Sequence, residues 1–150
     1  MPAFITFGRI LFAVIFIVSG AGKLLDLPST AEQIAAKVTI PAVLAPYATQ
    51  AETATGMTTR NMLAIAAGVV ELACGVLIAL NFATRFFAVV LLGFVIVATI
   101  YFHDFWNQTG VEARDNMIHA LKNLSIVGGL FMLIGIGGRR RPSGSGYAEI

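Results

Sequence analysis

Four long apolar runs alternate with polar connections along the 150-residue chain. They cover approximately residues 4–25, 61–80, 85–102 and 117–136. Each is close to the ~20 residues a helix needs to cross the ~30 Å hydrocarbon layer of a bilayer. The first stops at Asp26-Leu27-Pro28, a helix-ending combination. The third is apolar on every face, which suits a helix surrounded by lipid. The pattern predicts an all-α transmembrane four-helix bundle.

The connections differ in length. Residues 81–84 make a short hairpin between the second and third spans. Residues 103–116 open with His103 and Asp104, and Phe105 and Trp106 there suit the headgroup level of a membrane. Residues 26–59 carry Pro28, Pro41 and Pro46 and mixed charges. Ser29 or Thr30, followed by Glu32 and Gln33, has capping-box spacing and predicts a short helix over 31–38. Pro41 and Pro46 bracket a further turn over 42–45. So long a segment is predicted to be an extended, partly helical connection folded onto the bundle mouth. Residues 1–138 form the transmembrane domain, and residues 139–150 form a basic, disordered tail.

Composition supports a membrane setting. Hydrophobic residues make up 57% of the chain and charged residues 12%, half the usual share in soluble domains. The net charge is +2, and the basic residues are scattered except for Arg139, Arg140 and Arg141. That arrangement marks a cytoplasmic flank and argues against a nucleic-acid partner. Four spans put both termini on one side, together with Arg85. Asp26, Glu32, Glu52, Asp104, Glu112 and Asp115 fall on the other. Both termini are therefore expected in the cytoplasm. Arg9 lies inside the first run and no A-x-A site follows, so this run is read as a retained helix, not a cleaved signal. The single cysteine, Cys74, rules out an internal disulfide and reads as a small buried residue.

Glu71 is the most informative polar residue. It lies about ten residues, or ~15 Å, into its span. An ionised carboxylate at that depth costs about 3 kcal/mol without a partner. Gly68 and Gly75 share its face and allow another helix to come close. Arg9, Lys23 and Lys122 are its candidate cations, and each could instead snorkel to the nearer interface. Ser19 sits one turn from Lys23 on the same face. At the opposite mouth from the termini, His119, Lys122 and Asn123 follow Asp115 at helical spacing. With His103, Asp104, Lys23 and Asp26 they could line a polar pocket, or simply cap helix ends. Neither histidine has a second ligand at metal-binding spacing, so no metal site is expected.

These residues together resemble the DoxX family of small bacterial four-helix membrane proteins. The resemblance spans residues 8–135. It rests on Arg9-Ile10-Leu11 leading to Ser19-Gly20-Ala21-Gly22-Lys23-Leu24, then Glu71-Leu72-Ala73-Cys74-Gly75 and Thr84-Arg85. His103-Asp104-Phe105-Trp106 and Lys122-Asn123-Leu124 complete it. The resemblance implies the inner membrane and a place beside membrane redox complexes that handle sulfur or oxidative stress. Quinone is the candidate small molecule, and other subunits or further copies of the chain are the candidate partners. No covalent cofactor is indicated.

Three functional readings follow. An excess of Arg9, Lys23 and Lys122 over Glu71 would leave a positive interior suited to an anion or a quinone headgroup, in an accessory oxidoreductase subunit. Alternatively the interior charges only register the helices of a non-enzymatic scaffold. A small-solute transporter is the third reading, although the sequence has no pair of broken helices of the transporter kind.

Overall fold

A computed structural model of the chain describes residues 3–136. It consists of helices α1 (Ala3–Leu25), α2 (Leu27–Lys37), α3 (Ala45–Thr55), α4 (Thr59–Ala79), α5 (Thr84–Phe102) and α6 (Gly110–Ile136). A 3-10 turn, Phe105–Asn107, joins α5 to α6. The protein is an all-α bundle in which, among the described residues, four helices are long and apolar enough to cross a membrane, namely α1, α4, α6 and the segment Thr84–Asn107 that contains α5. The expected basic tail, residues 139–150, lies outside the described residues.

Each long helix buries one stripe. Arg9, Ala13, Phe16 and Gly20 face inward from α1, and Ala64, Gly68, Glu71, Cys74, Gly75 and Ile78 from α4. Thr84, Ala88, Leu91 and Val95 do so from α5. The steps of three and four residues are those of one helical face. The large apolar side chains Leu11, Val18, Val97, Ile100, Leu124 and Phe131 point outward, which suits lipid and would be unfavourable in water.

The connection between α1 and α4 holds two helices. The expected helix over 31–38 begins a turn earlier, because Asp26, not Ser29 or Thr30, is the cap. Its Oδ1 accepts from the Ser29 amide at 3.3 Å, and Pro28 occupies the first turn. The turn expected over 42–45 is present at residues 42–44, where the Leu44 amide donates to the Pro41 carbonyl at 2.8 Å, and it leads directly into α3. Pro46 lies in the first turn of that helix, and Gly56, at φ 68°, closes it. Ala31 and Ile34 of α2 pack with Ala64 of α4 and Phe102 of α5, so α2 lies over one end of the bundle.

Helix α6 also begins earlier than the apolar run at 117–136 suggests. Its first two turns carry Glu112, Arg114, Asp115 and Asn116. The helix continues past the apolar boundary because the helical backbone satisfies its own hydrogen bonds whether or not lipid surrounds it.

Candidate functional site

Helices α1 and α4 meet at a glycine crossing. A Cβ on Gly20 would lie 2.7 Å from the Gly68 carbonyl oxygen. A Cβ on Gly75 would lie 3.0 Å from Ile17 Cγ1 and 3.1 Å from Phe16 Cβ. Glu71 sits between these contacts and is 7% exposed. Lys23 Nζ reaches it at 2.7 Å from Oε2 and donates to Ser19 Oγ at 2.6 Å.

Helix polarity explains the choice of cation. Side chains lean toward the N-terminus of their own helix. The two helices run in opposite directions, so Lys23 leans down from the end of α1 while Glu71 leans up α4 to meet it. Lys122 is exposed on α6 and leans the other way, toward the end that carries His103. Its neighbour Asn123 donates to Thr99 Oγ1 at 2.9 Å, and Thr99 lies four residues, about 6 Å, from that end. The snorkelling geometry thus fits Lys122, while Lys23 turns inward.

Arg9 is buried and donates from Nη2 to the Ala79 carbonyl at 3.3 Å, at the C-terminus of α4. Arg85 does the equivalent for α6, with Nε 2.9 Å from the Ile134 carbonyl. Guanidinium groups at helix C-termini satisfy terminal carbonyls and oppose the negative end of the dipole. The structure therefore does not gather Arg9, Lys23 and Lys122 around Glu71. Each has a separate position, and the pair at the glycine crossing is one cation to one carboxylate.

The second polar group lies at the opposite end from Arg85. His103 and His119 stack with ring centroids 5.1 Å apart and planes 12° from parallel. His103 Nδ1 is 3.1 Å from Asn116 Oδ1, Asn116 Nδ2 donates to Gln108 Oε1 at 2.7 Å, and Gln108 Nε2 donates to Asp104 Oδ1 at 3.1 Å. Lys37 of α2 completes the chain, 3.5 Å from Asp104. Lys23 and Asp26, expected here, are occupied elsewhere, at Glu71 and at the α2 cap. The sequence reading missed Lys37, Gln108 and Asn116. Asn116 could have been found from its place one turn before His119 and two turns before Asn123, had the helix been started before it.

A shallow cleft of about 270 Å³ opens between α2, α3 and α4, lined by Ile34, Val38, Leu63, Glu52 and Arg60 among others. Glu52 Oε1 accepts from both the Thr59 amide, at 2.6 Å, and the Thr59 hydroxyl, at 2.7 Å. These bonds hold the Glu52 carboxyl below the usual glutamate range. No cluster of three or more metal-ligating side chains occurs among the described residues.

One sequence family, DoxX, matches residues 4–104. The chain belongs to the DoxX family. The match takes in α1 to α5 and stops just after His103. A curated relative, Inner membrane protein YphA of Escherichia coli (strain K12), is 29% identical over 137 residues. That alignment covers 91% of this chain and 84% of YphA. No solved structure matches the chain.

Proposed function

We propose that this DoxX protein is a multi-pass bacterial inner-membrane accessory subunit that acts as a helical scaffold for a larger assembly, without chemistry at Glu71. The observation that carries this reading is the closed Lys23–Glu71 pair. Its charges neutralise one another across the glycine crossing, and Ser19 Oγ accepts a further hydrogen bond from Lys23 Nζ. The arrangement supports helix registration. It offers no excess cation at that point for an anion or a quinone headgroup. The inner-membrane assignment draws on the name of the E. coli relative and the four apolar helices.

The redox reading, with a quinone as its small molecule, moves from Glu71 to the mouth of the bundle that carries His103. What favours it there is the His103–His119 stack, two imidazoles able to hold or pass protons.

One experiment tests the absence of chemistry at Glu71. The double variant Lys23→Met/Glu71→Leu replaces the pair by apolar side chains. In gently solubilised membranes, the scaffold reading expects the assembly on a native gel to keep its wild-type size and any quinone-dependent turnover to be unchanged. Loss of turnover from an assembly of normal size would move the chemistry back to Glu71.

A further inference from the structure

We infer that the hydrogen-bond chain at the His103 end runs in one direction only, and that it presents His103 Nε2 as an acceptor for a ligand hydroxyl. The starting point is Asp104, whose carboxylate can only accept and which faces Lys37. Gln108 must therefore turn its Nε2 to Asp104, which leaves Gln108 Oε1 to accept from Asn116 Nδ2. Asn116 is fixed a second time, independently, because Nδ2 also lies 3.3 Å from the Glu112 carbonyl oxygen, which can only accept. Asn116 Oδ1 is then the atom left facing His103, so His103 Nδ1 carries the proton and donates it.

A neutral imidazole has one donor nitrogen and one acceptor. With Nδ1–H committed, Nε2 keeps its lone pair, and no described residue bonds to it. Free histidine in water favours the opposite tautomer, so this chain reverses the ordinary preference. A hydrogen bond to one ring nitrogen commonly fixes the function of the other. His119 adds a flat ring alongside. Phe105 and Trp106, edge to face at 5.2 Å in the following turn, add aromatic surface nearby. An acceptor nitrogen beside flat aromatic surface, at the end of the apolar helices, suits an aromatic alcohol. The same ring lacking an O–H group would be a poorer fit.

The test is nitrogen-15 NMR of the full chain in lipid nanodiscs, with labelled histidine, at a pH where His103 is neutral. The expected spectrum shows His103 protonated at Nδ1 and unprotonated at Nε2. Added phenol should shift the Nε2 resonance, and anisole, which cannot donate, should leave it in place. Asn116→Leu should return His103 to the ordinary Nε2–H tautomer and abolish the phenol response. Gln108→Met, which cuts the chain one link further away, should weaken the Nδ1–H preference while leaving the helices intact. A wild-type His103 protonated at Nε2 would overturn the inference. So would an equal response to phenol and anisole, or an Asn116→Leu spectrum identical to wild type.

Discussion

Gly20 and Leu72 touch backbone to backbone: a Cβ built on Gly20 would lie 2.5 Å from the Leu72 amide nitrogen. A backbone atom cannot swing aside as a side-chain end can, so α1 and α4 must separate to admit any larger residue. Gly20→Val should cost about 3 kcal/mol or more, at the upper end of overpacking penalties. Gly128 has nothing within 4 Å of its Cβ position, so Gly128→Ala should unfold no earlier than wild type. Thermal unfolding of both variants in the same detergent checks the contrast.

The Lys23–Glu71 pair predicts a non-additive cycle. Lys23→Met alone leaves a buried carboxylate, and Glu71→Leu alone strands an ammonium that is 30% exposed. Removing one partner of a buried pair is strongly destabilising, and partial exposure reduces the effect here to about 2 kcal/mol for each single variant. The double variant should recover most of that loss. Equal losses that simply add in equilibrium unfolding would show that the two residues are not coupled.

Glu52 sets a pH dependence at the α3–α4 junction. Its folded-state pKa lies below the ordinary glutamate value because Thr59 donates two hydrogen bonds to the ionised form. A depressed carboxyl pKa contributes stability above the unfolded-state value, and that stability is lost as pH falls through the folded-state value. Hydrogen exchange at the Thr59 amide should therefore accelerate, after correction for its intrinsic pH dependence, only below the ordinary glutamate range. In Glu52→Gln the corrected rate should no longer change with pH.

Ala83 closes the hairpin between α4 and α5 with φ 42°, a left-handed backbone that a Cβ disfavours. Ala83 is exposed, so removing the methyl group loses little packing. Ala83→Gly should raise stability by roughly 0.5–1 kcal/mol, net of the extra entropy glycine loses on folding. The measurement is the unfolding midpoint of this variant against wild type.

The distribution of basic residues predicts the orientation. A reporter active only in the cytoplasm, fused after Gly138, should be active, and one inserted at Thr109 should be silent. The reverse pattern would invert the topology.

Much of this architecture could be read from local pattern. The four apolar runs located the four long helices to within a few residues, except at the start of α6, because burial in lipid requires uninterrupted apolar sequence. The pairing of Glu71 was legible as a need but not as a contact. Three cations satisfied it on paper, and only the antiparallel packing of α1 on α4 selects Lys23. Helix α3 was hidden by reading Pro46 as a boundary, when proline is equally at home in a first helical turn. Lys37 could not have been assigned to Asp104 from sequence, because the meeting depends on how α2 folds back over the bundle end.

The separation of Lys23 from Glu71 by 48 residues also bears on how a cell makes this protein. The lysine emerges from the ribosome with the first helix, well before its carboxylate partner. When α4 arrives, a nearby α1 lowers the cost of moving its acidic group out of the insertion machinery. Retention of the first helix near the exit site through the synthesis of α2 and α3 would spare α4 that cost. A chain missing that helix would hold an orphan acid in the bilayer, the kind of defect that membrane proteases can recognise and remove.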